Sequence, residues 1–288
     1  MSVACCIGTI LIFSDAVWRG PAVALERELR APCVCVEHID LGSNATVVWG
    51  QRGYFERIRS RLSLFRQRLQ QQQLLPPPEA AGAADAAGWL ALFDADIVAL
   101  RNVSARIQQT FVSRPHVELL AQQEWPCASA PHRPCLNGGL WAVRRSARGL
   151  ALVQRAERLL DWLRITDQDA LQIVAHQSLA AHSGSVAFFD RQRYANGCTA
   201  CGQTTAWAAH TAHLLHVNWV PSLECKLQWL AHVRKYRFHL PSSYTETTAD
   251  LQRRCGVSLR ICSATSVPGT LSVTSPLQSA HGEISSSG

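Results

Sequence analysis

Two aspartates, Asp94 and Asp96, are the residues of this sequence whose type and spacing point most clearly to chemistry. They follow the apolar run 89–93 and precede a second apolar run, 97–100. A segment that is apolar at every position is typical of a strand buried on both faces, as in a parallel sheet covered by helices. Carboxylates two residues apart at the end of such a strand point to the same side, where open α/β sheets bind ligands. The pair therefore favours a divalent cation that also binds the oxygens of a diphosphate.

The Asp-x-Asp pattern has two other interpretations. The simpler one is an acidic loop exposed to solvent. The other is a phosphatase of the haloacid-dehalogenase type, in which Asp94 would be the nucleophile. Such an enzyme needs a downstream lysine and then further acidic residues for magnesium. The lysines of this chain are Lys226 and Lys235, and Asp250 is the one aspartate after them, so the sequence disfavours the phosphatase.

The composition is that of a globular protein with a basic surface. Of the 288 residues, 47% are hydrophobic and 17% are charged, and the formal net charge is +7. A positive surface suits anionic partners such as nucleotide diphosphates or acidic polysaccharides, although a generic arginine-rich surface explains the same charge. The basic residues form no run with interleaved aromatic residues, so nucleic-acid binding is not predicted.

The chain has 11 cysteines, which permits an oxidising compartment without proving one. Cys33 and Cys35 lie in an apolar strand-like run, where a cysteine can simply be a small buried residue. Cys127 and Cys135 flank a proline-rich loop and could be bridged. The Cys-x-x-Cys segment 198–201 is followed by histidines at a spacing that does not fit a zinc finger, so a loop disulfide or free thiols are favoured there.

Apolar spacing predicts alternating strands and helices, and therefore an α/β fold with a mostly parallel sheet. The predicted strands are 9–13, 33–39, the segment ending at Asp94, 116–122, 140–143, 186–189 and 212–215. The predicted helices are 21–30, 54–69, 152–163, 170–181 and 223–234. Thr166 and Asp169 form a capping box before the fourth of these helices, which gives Asp169 a structural role.

We expect one domain over residues 1–262. Within it, residues 70–88 form a low-complexity surface insertion with a glutamine run, three prolines and an Ala/Gly stretch. Residues 263–288 are rich in Ser and Thr and poor in large apolar residues, which predicts a disordered tail. The apolar run 3–13 is too short to span a bilayer and follows no basic residue, so we interpret it as a core strand. No membrane anchor is evident in the sequence.

Five segments, in a fixed order, carry a resemblance to a known family. They are LFDADIVALR from Leu92, LNGGLWAVR from Leu136, TDQDAL from Thr166, Asn196-Gly197, and HVNW from His216 with Lys226 beyond it. This order resembles the nucleotide-diphospho-sugar transferase domain family, which includes plant and algal xylosyl-, arabinosyl- and galactosyltransferases. The resemblance implies a GT-A fold, a single Rossmann-like α/β domain. It also implies transfer of a pentose or hexose from a nucleotide-diphosphate donor to a glycan or glycoprotein acceptor.

The resemblance further implies roles for individual residues. The implied ligands of a manganese or magnesium ion are Asp94, Asp96 and His216. The implied donor-binding residues are Asp94, Asn137, Gly138, Gly139, Asn218 and Lys226, with Lys226 at the diphosphate. Asp167 and Gln168 would face the transferred sugar as the catalytic residues. The two glycines have no side chains, so a ligand could approach their backbone closely. Relatives retain the anomeric configuration and are Golgi-lumenal, which we also expect here.

Structural alternatives exist for these residues. His216 could be a hydrogen-bonded core histidine, Asn137-Gly138 a turn, and Lys226 a surface residue. The whole domain could also be a non-catalytic carbohydrate- or nucleotide-binding module on the same fold. Relatives often carry a lysine on the helix before the metal strand, where this chain offers only arginines such as Arg59 and Arg61. Without a metal ion, Asp94 and Asp96 should repel each other. Replacing Asp96 by alanine should therefore leave the thermal stability unchanged or raise it.

Overall fold

The central sheet of the computed structural model has six strands. They are β1 (Gly8–Ser14), β2 (Val34–Asp40), β3 (Trp89–Asp94), β5 (Leu119–Glu124), β6 (Cys135–Arg144) and β7 (Val186–Phe188). Their order is β2-β1-β3-β6-β5-β7. All adjacent pairs are parallel except those of β6, which is antiparallel to both β3 and β5. The predicted α/β class with a mostly parallel sheet is confirmed, and this topology agrees with a GT-A domain.

A second, smaller sheet lies beyond the end of β3. Its strands are β4 (Ile97–Ala99), β8 (Tyr194–Ala195) and β9 (Leu214–His216), in the order β4-β9-β8. The structure describes residues 8–14, 18–30, 34–40, 52–74, 88–124, 134–181, 184–196, 212–218 and 223–238.

Helices cover both faces of the central sheet. They are α1 (Arg19–Leu29), α2 (Arg52–Gln73), α3 (Val103–Ser113), α4 (Ala147–Leu163), α5 (Asp167–Ala180) and α6 (Leu223–Phe238). Alternate residues of β3 enter different cores: Trp89, Ala91 and Phe93 pack with α1 and α3, while Leu90 and Leu92 pack with α2, α4 and α5. This two-sided burial explains why the strand is apolar at every position.

Several boundaries differ from the sequence prediction, among them those of β6 and α2. Strand β6 begins at Cys135, so Asn137, Gly138 and Gly139 lie inside it and do not form a turn. Helix α2 continues through Gln73, so its glutamines are helical and not part of an insertion. The Gln73 side chain donates to the Ser146 carbonyl at 2.5 Å and so ties the helix end to the start of α4. The remainder of the predicted insertion, residues 75–87, lies outside the described residues.

The predicted capping box is confirmed. The Thr166 side chain accepts from the Asp169 amide, and the Asp169 carboxylate in turn accepts from the Thr166 backbone. Helix α5 nevertheless starts at Asp167, three residues earlier than predicted, because the capping residue immediately precedes the first helical residue.

Three cysteines of the described residues form disulfides, namely Cys35, Cys135 and Cys225. Cys35 is therefore more than a small buried residue. Cys127, the Cys-x-x-Cys segment 198–201 and the predicted tail 263–288 lie outside the described residues. No helix in the described part of the chain has both the length and the apolar character needed to cross a bilayer.

Candidate metal and donor site

Both aspartates of the Asp-x-Asp motif lie where β3 ends and the turn to β4 begins. Asp94 is the last residue of β3, and Asp96 lies in the turn that leads to β4. Strand β4 pairs antiparallel with β9, with Ile97 opposite His216. The Val217 amide also donates to the Asp96 carbonyl at 2.9 Å. This pairing places His216 beside two carboxylates that are distant from it in sequence.

The three predicted metal ligands converge. His216 Nε2 lies 3.1 Å from Asp96 Oδ1 and 3.9 Å from Asp94 Oδ2. One ligand atom from each residue lies within 4.8 Å of the others. Two carboxylates and an imidazole form a donor set that suits manganese and also admits magnesium. The expected convergence is confirmed, and His216 is a buried residue whose Nε2 nonetheless faces the carboxylates.

The two glycines of β6 make room for protein side chains. A Cβ atom on Gly139 would lie 2.1 Å from His216 Cε1, so the imidazole occupies the space that a side chain would need. A Cβ atom on Gly138 would lie 3.1 Å from the Cβ of Gln168. The sequence suggested that these glycines let a ligand approach the backbone. The described contacts supply another reason for them, and their binding to the donor stays a prediction.

Arg61 is the arginine that reaches the site from α2. Its Nη1 donates to Asp94 Oδ1 at 2.5 Å, and its Nε donates to Asp167 Oδ2 at 3.0 Å, with a further bond from Nη2 to the same oxygen. Arg59, two residues earlier on the same helix, instead pairs with Asp161 on the surface. Arg61 is therefore the candidate for the position at which relatives often carry a lysine.

Lys226 of α6 reaches the other side of the site. Its Nζ donates to Asp96 Oδ2 at 2.6 Å and lies 5.8 Å from the centre of the Trp18 ring. Lys226 is thus not merely a surface residue of the last helix. Contact with a diphosphate, implied by the family resemblance, stays a prediction, since the described contact of the ammonium is with a carboxylate.

The two aspartates have opposite electrostatic surroundings. Burial, together with the neighbouring Asp96, raises the pKa of Asp94 in spite of Arg61. Burial also acts to raise the pKa of Asp96, but Lys226 and His216 outweigh it and hold that pKa well below its usual range. The pKa of His216 is raised, since the attraction of Asp96 outweighs burial. The repulsion between the aspartates therefore raises the pKa of Asp94, whereas the neighbours of Asp96 stabilise its charge. The expectation that removing Asp96 would not destabilise the cation-free protein is wrong.

Comparison with known proteins finds relatives of the segment that carries these site residues. Residues 90–230 match the family model of the nucleotide-diphospho-sugar transferases. This segment of the chain is similar to the nucleotide-diphospho-sugar transferases. The matched range includes every predicted site residue from Asp94 to Lys226, and the resemblance inferred from the sequence is confirmed. No curated protein gives a significant match.

Two solved structures have detectable similarity to this chain. Mouse xyloside xylosyltransferase 1, in its apo form, has 11% sequence identity and a TM-score of 0.43, covering 73% of this chain and 97% of its own. The apo form of the glycosyltransferase GlyE of Streptococcus pneumoniae TIGR4 has the same identity and TM-score, covering 89% of this chain and 64% of its own.

The predicted catalytic residues lie at the start of α5. Asp167 is only 2% exposed, and its Oδ1 accepts from the backbone amide of Gln168 at 2.8 Å. Gln168 Oε1 accepts from the Gly138 amide at 2.8 Å. Its Nε2 donates to none of the described residues. Burial, with a contribution from the charge of Asp167, raises the pKa of the nearby Tyr54 to about 12.

Asn137, predicted to bind the donor, is engaged inside the protein. Its Nδ2 donates to Glu124 Oε2 at 2.5 Å, and its Oδ1 accepts from the Gly139 amide at 2.9 Å. The other predicted donor residue outside the metal motif, Asn218, follows β9 directly. Donor contacts by either asparagine stay predictions.

Sequence reasoning assigned no role to Gln122 and Glu124, two residues that support the site. Glu124 accepts from Asn137 and also from Asn196 Nδ2, the latter at 2.7 Å. Gln122 contacts His216, as described below. A signal was present, because both are polar residues at the carboxyl end of a strand that begins with apolar residues.

Proposed function

We propose that this chain is a metal-dependent glycosyltransferase that moves a pentose or hexose from a nucleotide-diphosphate donor to a glycan or glycoprotein acceptor. The family match supports glycosyl transfer from a nucleotide sugar. The observation that carries the metal dependence is the convergence of Asp94, Asp96 and His216 within the matched segment. A Mn²⁺ or Mg²⁺ ion held by these residues would supply positive charge for the departing diphosphate.

Lys226 is the cation best placed to assist the leaving group. It is only partly buried and is held by Asp96. Once that carboxylate serves a divalent ion, the ammonium is free to donate to a phosphate oxygen of the donor. A positioned charge of this kind stabilises the negative charge that develops as the diphosphate leaves.

We propose a front-face displacement with retention of configuration. The bond between the anomeric carbon and the diphosphate oxygen breaks, and the bond to the acceptor oxygen forms on the same face. The acceptor's proton passes to the departing phosphate oxygen, so no protein nucleophile is required. Asp167 and Gln168 would face the transferred sugar, with the amide nitrogen of Gln168 as the available donor.

We also propose that the protein works in the Golgi lumen. Support comes from the disulfides at Cys35, Cys135 and Cys225, which persist in oxidising compartments and are rare in the cytosol. Microscopy of the tagged full chain beside a Golgi marker tests the location. Labelling throughout the cytosol would contradict it.

A screen of nucleotide sugars, with Mn²⁺ or with EDTA, tests the activity. We expect consumption of one donor with Mn²⁺, none with EDTA, and none by Asp96→Asn under either condition. A donor that binds without being consumed, with or without candidate acceptors, would identify a binding module. Release of inorganic phosphate from small phosphomonoesters would identify a phosphatase.

A further inference from the structure

The orientation of His216 is controlled by a buried side chain that takes no direct part in the proposed reaction. We infer that Gln122 is a positioning residue that fixes the tautomer of His216, so that the lone pair of Nε2 faces the two aspartates. This inference deepens the proposed metal site and rests on it for its functional meaning.

The amide of Gln122 has only one chemically acceptable orientation. The side chain is fully buried in β5. Its Nε2 lies 3.0 Å from the Tyr194 carbonyl and 3.3 Å from the Ala195 carbonyl. Backbone carbonyls only accept hydrogen bonds, so the group that faces them must be the NH₂. The opposite orientation would place three oxygens against one another in the interior and leave them unsatisfied.

The orientation of Gln122 determines where the imidazole proton sits. With its NH₂ committed, Gln122 presents Oε1 to His216 Nδ1 at 3.1 Å. An amide oxygen cannot donate, so Nδ1 must carry the hydrogen. Nε2 lies 3.1 Å from Asp96 Oδ1, so in the cation-free protein a second ring proton would lie between these two atoms. A divalent ion can displace that proton but not the one on Nδ1, which leaves the lone pair of Nε2 to the ion. This is the arrangement in which histidine ligates a metal through one nitrogen while donating through the other.

The surroundings hold both partners rigidly. Strand β8, which supplies the two carbonyls for Gln122, pairs with β9, which carries His216. The imidazole also lies against Gly139, where no Cβ could be accommodated. The ring is therefore fixed by its own strand, by the amide of Gln122 and by the backbone of β6.

The direct test is the tautomer in the unaltered protein. Histidine-labelled protein saturated with Mg²⁺, which is diamagnetic, is measured by long-range ¹H–¹⁵N correlation, with His216→Ala to assign the signal. We expect a protonated Nδ1 and an unprotonated Nε2. The reverse tautomer, an even mixture, or a His216 signal that Mg²⁺ leaves unchanged would overturn the inference. Because neither donor nor turnover is needed, this outcome is independent of the proposed sugar transfer.

A double-mutant cycle tests whether Gln122 acts through His216. Gln122→Met keeps the approximate size but removes the hydrogen bonds to Tyr194, Ala195 and His216. Mn²⁺ affinity without donor is read from the EPR signal of free Mn²⁺. Loss of an outer partner of a metal ligand weakens metal binding about 10–100-fold, and we expect that loss here. In the His216→Ala background the same substitution should change affinity less than about twofold.

The neighbouring residue supplies the matched control, since Gln123→Met alters the side chain on the opposite face of β5 and should leave affinity unchanged. Equal losses from Gln122→Met in both backgrounds would show a purely structural role and contradict the inference. If Gln122→Met does not fold, the tautomer measurement on the unaltered protein still decides the question. Mn²⁺ binding with the expected cycle but without sugar transfer would sink the proposed function alone.

Discussion

The two aspartates of the site are close together but lie in different electrostatic settings. On the side of α2 and α5, Asp94 and Asp167 share one guanidinium, that of Arg61. On the side of α6, Asp96 lies 2.6 Å from Lys226 Nζ and 3.1 Å from His216 Nε2, whereas Asp94 is 3.9 Å from that nitrogen. The first side has an excess of negative charge and the second does not. The pKa of Asp94 is accordingly raised, while that of Asp96 is held below its usual range.

This difference distinguishes two positively charged side chains: Arg61, which keeps its partner, and Lys226, which can change partner. Arg61 is held by Asp167 even if Asp94 is taken by a metal ion, and it is largely buried between the helices. Lys226 has one carboxylate partner among the described residues, Asp96. When a divalent ion takes that carboxylate, the lysine loses its partner and can turn to the donor. The asymmetry therefore suggests which cation changes partner during the reaction.

Replacing Asp96 by alanine should have the largest effect. We expect no detectable transfer. We also expect a loss of about 3–5 kcal/mol in the free energy of unfolding without metal, since the buried His216 and the partly buried Lys226 lose this partner. Urea unfolding in EDTA measures the second effect. Asp94→Ala is the matched variant, and its loss should be smaller because it relieves the negative excess beside Arg61. A larger loss for Asp94→Ala would contradict the comparison.

Arg61→Met should destabilise the fold by a similar amount, about 3–5 kcal/mol, because it leaves Asp94 and Asp167 buried without a cation. The control is Arg59→Met, which removes a surface pair with Asp161 and should cost no more than about 1 kcal/mol. Urea denaturation of both variants in EDTA gives the difference. Equal stabilities would show that the guanidinium of Arg61 does not compensate the carboxylates.

Lys226→Ala should change catalysis and metal binding in opposite directions. The rate with saturating donor should fall by about 10²–10³-fold, the scale for losing one charge-stabilising donor. Mn²⁺ affinity without donor should rise about tenfold, since the metal no longer displaces a charged hydrogen bond worth about 1.5 kcal/mol. Steady-state kinetics and EPR titration measure the two effects. Weaker Mn²⁺ binding in Lys226→Ala would exclude a lysine that competes with the cation.

A change of pH should have a smaller effect than these substitutions: the affinity for Mn²⁺ should rise as the pH increases. Burial acts to lower the pKa of His216, but Asp96 outweighs it and raises that pKa above its ordinary value of 6.5. The imidazole therefore keeps its proton to a higher pH than a free one, and the metal must displace it. Affinity should increase by up to about tenfold per pH unit below that raised pKa and level off above it. EPR titrations across this range measure the slope. An unchanged slope in His216→Ala would show that another group titrates.

Sequence reasoning succeeded where the signal was local. The run before Asp94 is apolar at every position because both faces of β3 are covered, and that signal can be read without neighbours. The capping box of Thr166 and Asp169 is equally local. The family resemblance supplied the convergence of the metal ligands, which no local pattern contains.

The parts of the site that could not be predicted from the sequence depend on pairing between short strands. Strands β4, β8 and β9 have two or three residues each, too few for a periodic pattern, yet they bring His216 to the aspartates and Gln122 to its carbonyls. Asn137 looked like part of a turn because it precedes two glycines. It lies within a strand because Glu124 on β5 binds its side chain, a contact that spacing along the chain does not reveal.

The central claim is that Asp94, Asp96 and His216 hold a divalent ion that also binds the donor's diphosphate. Pulsed EPR on Mn²⁺ with protein and the donor identified by the screen tests it directly. We expect a ³¹P coupling from the diphosphate together with a ¹⁴N coupling from one imidazole, and the ¹⁴N coupling should vanish in His216→Ala. A ³¹P coupling without any ¹⁴N coupling in the unaltered protein would contradict the account.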